Sequence, residues 1–215
     1  DYLDKDQSYV LHMLKSSDLA HISFPLGEIS KPDVRQIAAR IGLKTAFKKD
    51  SQDICFVGKK NYRSFVEKRI DLTSSGEIFD INGKKVGDHN GIHEFTVGQR
   101  KGLPGGYETP RYVTKIDVQN KNVTIGEKND LLVSSFVVEE LSCVNNLEYE
   151  NLTIQTRYNS EDLACDIKKL SDTKILVQLK EPAFGVAPGQ FGVIYKGTKV
   201  VCGGRISSKV LENVG

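Results

Sequence analysis

Three changes of texture along one chain predict an α+β, multidomain fold that ends in a small antiparallel β-barrel. Apolar residues recur at helical spacing through the first 70 positions. From about residue 76 the pattern becomes short alternating runs separated by turn residues, and after Asp130 five or six such runs follow with no helical segment between them. Many short strands without helices suit closure into a barrel, because closure leaves no edge unpaired.

The elements follow in order. Gln7 to Lys15 places Tyr9, Val10, Met13 and Leu14 on one helical stripe, with Asp4 or Asp6 as a cap. ISKPDVRQIAARIGL predicts a second helix. Ser30 is its N-cap, Pro32 sits in the first turn, Val34, Ile37, Ala38 and Ile41 form the stripe, and Gly42 is the stop. A third is expected over Asn61 to Ile70. GEIFDINGKKVGD reads as a hairpin turning at Asn82-Gly83, and RYVTKIDVQNKNVTIGE as another turning at Gln119 to Lys121. GIHEFTVGQRKGLPGGYETP, between them, is too rich in Gly and Pro for a regular element. The later strands are expected at 132–139, 152–158, 164–167, 174–179, 191–195 and 199–206, with a domain boundary near 128–132.

Composition narrows the function classes. Of the 215 residues, 39% are hydrophobic and 27% charged, as in ordinary globular proteins. No apolar run nears the roughly 20 residues of a membrane-spanning helix, and DYLDKDQSYV lacks the basic flank and apolar core of a signal peptide, so a cytoplasmic protein without membrane association is expected. Cys55, Cys143, Cys165 and Cys202 are far apart, with no C-x-x-C pair, which predicts neither a disulfide framework nor a metal site. Net charge is only +2, yet residues 44 to 70 hold eight Lys and Arg against Asp50, Asp53 and Glu67. Such a local basic surface attracts polyanions and favours thiolate at a nearby cysteine.

Four stretches could carry chemistry. In KKDSQDICFV, Cys55 either opens a buried apolar segment or is a reactive thiol, with Lys48, Lys49, Lys59 and Lys60 close in sequence. In FTVGQRKGLPGG the glycines permit close backbone approach, and Arg100 and Lys101 offer charge to phosphate; no G-K-[ST] follows, so this is not a Walker loop. His89 and His93 lie in an apparent loop without a completing carboxylate and are expected to hydrogen-bond rather than hold metal. In the barrel region, Arg157 can contact phosphate, Tyr158 can stack on a base, and Gln190 can bond a base edge or sugar hydroxyl.

Together the segments DKDQSYVLHML, FPLGEISKPDVRQIA, KKDSQDICFVG, FTVGQRKGLPGG, TRY, APGQFGVIY and VCGGRI resemble, in order, the bacterial tRNA-specific 2-thiouridylases, which install sulfur at C2 of the wobble uridine. The resemblance implies three parts: 1–60, the helical end of an α/β ATP-pyrophosphatase domain; 61–130, a small mixed central domain that binds tRNA; and 131–215, the C-terminal β-barrel. It further implies ATP as cofactor and a cysteine persulfide as sulfur carrier, at the position of Cys55. A second cysteine resolves the exchange through a disulfide. Lys5, Asp6, Gln7, Arg157, Tyr158 and Gln190 fall at tRNA-contact positions. Expected partners are tRNA and a protein that donates persulfide sulfur, with the chain a monomer. The family's S-G-G-x-D-S phosphate loop and a cysteine upstream of Cys55 do not occur in this sequence. A fragment that binds tRNA but cannot thiolate it alone is therefore expected. The competing expectation is a stand-alone RNA-binding barrel module without chemistry.

Overall fold

The computed structural model describes residues 6–49, 75–143, 150–158 and 160–207. Cys55, Lys5 and the helix expected over 61–70 lie outside the described residues. The chain divides into two compact units, one of Asp1–Asp50 with Val133–Gly215 and the other of Ser51–Leu132.

The first unit begins with short helices. Where one helix was expected over residues 7–15, there is a single turn, α1 at Ser8–Leu11, and a second single turn, α2 at Ser16–Leu19, follows beyond that span. The stripe splits accordingly, since Tyr9 is buried while Val10 and Met13 are exposed. Helices this short are not self-supporting and depend on tertiary contacts. The next helix, α3 at Lys31–Arg40, matches its sequence signals: Ser30 Oγ accepts from the Asp33 amide at 3.3 Å, Pro32 is in the first turn, and Gly42 takes φ +77°. No residue of α3 is buried.

The second unit is a four-stranded sheet in the order β2-β1-β4-β3. The two expected hairpins are β1 Gly76–Asp80 with β2 Lys85–His89, and β3 Tyr112–Asp117 with β4 Asn122–Gly126. Their inner strands β1 and β4 pair in parallel, Ile78 opposite Val123, which joins the hairpins into one sheet over Ile78, Ile92, Phe95, Val113, Val123 and Ile125. The first turn is longer than the two residues expected. Asp80 accepts from the amides of Asn82 and Lys84, both at 2.9 Å, and Gly83 supplies φ +80°. His89 hydrogen-bonds to the Lys121 carbonyl at 2.9 Å, the kind of role its sequence context predicted.

The remainder of the first unit is a closed barrel of six antiparallel strands in the order β10-β5-β8-β7-β6-β9. They are β5 Leu132–Cys143, β6 Leu152–Gln155, β7 Leu163–Ser171, β8 Lys174–Phe184, β9 Phe191–Lys196 and β10 Lys199–Ile206. Alternate residues point inward, as with Ile175, Val177 and Leu179 along β8, and meet Phe136, Val138, Ile154 and Ile194 in the core. One expectation is corrected here: Cys143 and Cys202 form a disulfide across 59 residues of sequence. The register of β5 against β10 sets them directly opposite each other. Chain spacing gave no sign of that pairing.

Candidate nucleic-acid interface

Within the first unit, residues near the N-terminus meet the barrel at the ends of β6 and β9. Strand β6 stops at Gln155, so Arg157 and Tyr158 stand in the turn that follows, with the Arg157 amide donating to Ser160 Oγ at 3.4 Å. The Gln7 side-chain amide donates to the Tyr158 hydroxyl at 2.7 Å, across 151 positions. Asp6 folds back on its own segment, its carboxylate accepting from the Ser8 amide at 2.7 Å and the Ser8 hydroxyl at 2.9 Å. The Arg157 guanidinium lies over Gly185, where a Cβ would come within 3.1 Å of it. Gly185 opens the loop that ends at Gln190, whose backbone carbonyl accepts from the Ile206 amide at 2.8 Å and whose side chain is exposed. Asp6, Gln7, Arg157 and Tyr158 are exposed too.

A set of contacts that the sequence did not reveal holds these groups in place. The Tyr9 hydroxyl donates to the Phe191 carbonyl at 2.9 Å, and its ring lies 6.2 Å from that of Tyr158. Ser8 Oγ and the Tyr195 hydroxyl share a hydrogen bond of 3.1 Å. His12 is buried, with Nδ1 2.7 Å from the Tyr9 carbonyl and its ring 4.8 Å from Phe191. It rests on Gly203, where any Cβ would come within 2.4 Å of the ring. The paired glycines of VCGGRI were the available signal, since glycine inside a strand marks a close approach. Burial pushes the Tyr9 hydroxyl above its ordinary pKa, Tyr195 adds to the rise, and the Arg157 charge opposes it. Burial likewise raises Tyr195, against its hydrogen bond with Ser8. Both phenols therefore remain neutral hydrogen-bonding groups across the physiological range.

Arg100 and Lys101 are exposed on a turn of the second unit. Cys165 is a buried free thiol on β7, pushed up to about 12 by burial and by Asp166, which makes it inert. Among the described residues, no group of three or more His, Cys, Asp or Glu side chains could hold a metal ion. Nor do they fit ATP. No S-G-G-x-D-S loop is present, and the start of α3 is closed by Ser30, whose hydroxyl also bonds to Asp33, a carboxylate that would repel phosphate. No helix among the described residues is long and apolar enough to cross a membrane.

Three family models match consecutive stretches: the tRNA methyl transferase HUP domain at 1–59, the tRNA methyl transferase PRC-barrel domain at 63–127, and the aminomethyltransferase beta-barrel domain at 133–206. That succession defines a class of tRNA-modifying proteins. Among individual relatives, the chain is 39% identical over 211 residues to "tRNA-specific 2-thiouridylase MnmA" of Rickettsia prowazekii (strain Madrid E), covering 96% of the chain and 59% of the relative. To proteins of the same name it is 39% identical in Histophilus somni (strain 129Pt), covering 96% of the chain and 57% of the relative, and 36% identical in Photorhabdus laumondii, covering 97% and 60%. The chain belongs to the tRNA-specific 2-thiouridylase family. It spans between 57% and 60% of the length of these relatives.

Proposed function

We propose that this chain is the tRNA-holding and sulfur-presenting portion of an enzyme that thiolates the wobble uridine, U34, at C2. The observation that carries the reading is the hydrogen bond between Gln7 and Tyr158, which brings two sequence-distant candidates for tRNA contact together beside Arg157. Arg157 supplies charge to a phosphate, Tyr158 an exposed ring for a base, and Gln7 and Gln190 hydrogen-bonding side chains. Lys5 and Asp6 belong to the same segment.

Cys55 carries the sulfur in this reading. As a persulfide, its terminal sulfur attacks C2 of the activated uracil and forms the C–S bond, while the C2 oxygen departs with its activating group. A second cysteine thiolate then attacks Cys55, forming a disulfide as the persulfide S–S bond breaks and leaving sulfur on the base. Activation by ATP and the second cysteine are assigned to residues outside this chain, and the sulfur comes from a donor protein bearing a persulfide. The family models speak of methyl transfer, but the relatives' names agree on thiolation, and a cysteine in basic surroundings suits sulfur transfer. The division into 1–60, 61–130 and 131–215 is part of the proposal, and the boundaries of the three family matches support it.

The test is tRNA binding. Arg157→Ala with Tyr158→Ala is expected to weaken it about tenfold or more and to lower the slope of log affinity against log salt by about one phosphate contact; unchanged affinity refutes the reading. The alternative, an RNA-binding module without chemistry, draws on the absence of an ATP cradle among the described residues. Mass spectrometry after exposure to a persulfide donor separates the two, because sulfur-loading selective for Cys55 favours the enzyme portion and absent or unselective loading favours the module.

A further inference from the structure

The second unit contains a concave site that the reading above does not use. The Gly-Pro segment after Lys101 and the start of β3 enclose a cleft of about 180 Å³ lined by Arg100, Pro104, Gly105, Gly106, Tyr107 and Arg111 among others. Two of its lining residues are arginines and none is acidic. Its volume is below the roughly 300–1,000 Å³ of sites for whole small molecules, and suits a single compact group.

The donors are preset. The Arg111 guanidinium lies 4.7 Å from the centroid of the Tyr107 ring, and its Nη1 is held 3.2 Å from Glu127 Oε1. Its Nε is buried and has no hydrogen-bond partner among the described residues. A buried guanidinium N–H left without an acceptor is an unmet donor. Arg100 is exposed and enters no ion pair with a described residue. The amides of Gly105 and Gly106 donate to no backbone carbonyl among the described residues, and a Cβ on either glycine would meet nothing within 4 Å. Backbone here is open to close approach, and Glu127, the carboxylate paired with Arg111, also accepts from the Thr109 hydroxyl at 2.9 Å and lines the neighbouring cavity rather than this cleft.

Tyr107 and Arg111 also line a second cavity of about 310 Å³, whose other walls include Asp80, Asn82, Glu127 and Asp130. Oxygen acceptors beside an anion site match what a nucleotide presents next to its phosphate, namely ribose hydroxyls and base amino groups. We propose that Arg100, Arg111 and the Gly105-Gly106 backbone bind the phosphate of one nucleotide, with its sugar or base in the adjoining acidic cavity. The phosphate belongs either to an RNA strand or to a free nucleotide. The first source rests on the tRNA reading above, whereas the site chemistry does not.

The experiment uses the full 215-residue chain and its Arg100→Glu variant, which alters an exposed side chain and leaves the sheet core intact. Arg111→Lys is a second variant that keeps the charge and removes the planar fork. Each is titrated with an unmodified tRNA transcript and separately with AMP, while the NMR signals of the Gly105 and Gly106 amides and of Arg111 Nε are followed. If the occupant is RNA, Arg100→Glu weakens tRNA binding about tenfold and lowers the salt slope by about one, and AMP shifts nothing. If it is a free nucleotide, AMP shifts those three signals in the parent chain and fails to do so in the variants. AMP binding without any tRNA binding supports this site and refutes the function proposed above. Unchanged tRNA affinity in both variants together with no AMP response overturns the site.

Discussion

The barrel and the helical segment in the same compact unit obey one patterning rule with opposite outcomes. Along β8, alternate apolar residues disappear into a core in which Ile175 and Val177 are fully buried. Along α3 the stripe is equally regular, yet Ile37 is exposed and Ile41 is 67% exposed, and beyond the helix Phe47 is 76% exposed. Periodicity states which face of an element avoids water; it does not state what covers that face. The barrel closes on itself and supplies its own cover. Near the N-terminus, α1 lies between these cases, since Tyr9 and His12 are buried only because the barrel offers Phe191 and a bare Gly203.

The largest expected effects test that contrast. Phe136→Ala, in the barrel core, should cost about 3–5 kcal/mol in denaturant unfolding, whereas Ile41→Ala should stay within about 0.5 kcal/mol. Comparable costs would mean that the α3 stripe is covered after all. Next in size is Gly203→Val, which drives a side chain into the His12 ring and should cost about 1–3 kcal/mol. Hydrogen exchange is the readout: faster exchange at residues 8–12 with unchanged protection in β7 and β8 is expected, and a uniform loss would show that the segment and barrel do not come apart separately. The smallest effect concerns Cys165. Its thiol is pushed up to about 12, above its ordinary value of 9.0, so the folded state holds that proton more tightly than the unfolded chain. The stabilisation is complete below about pH 9 and is lost as pH rises from there toward 12. Comparing the pH profiles of the parent and Cys165→Ala by chemical denaturation checks the sign, the variant being expected to lose less stability over that range.

Much of the architecture was legible because the signals are local. All six barrel strands, the Ser30 cap with Pro32 and Gly42, and both hairpins of the second unit could be read from residues a few positions apart. The features missed depend on pairing between distant segments. They include the Cys143–Cys202 disulfide, the parallel match of β1 with β4, the burial of His12 on Gly203, and the stacking of Arg111 on Tyr107. Of the candidate contacts, Gln7 and Tyr158 were legible as individuals, but their hydrogen bond was not, because it depends on Tyr9 and Ser8 docking against β9.

That docking is the centre of the account, which holds that two distant stretches of sequence form one RNA-contact surface. A double-mutant cycle on tRNA affinity with Gln7→Ala and Arg157→Ala measures it most directly. Coupling of about 0.5 kcal/mol or more between the substitutions is predicted. Strictly additive effects, or no effect of either substitution, would contradict it.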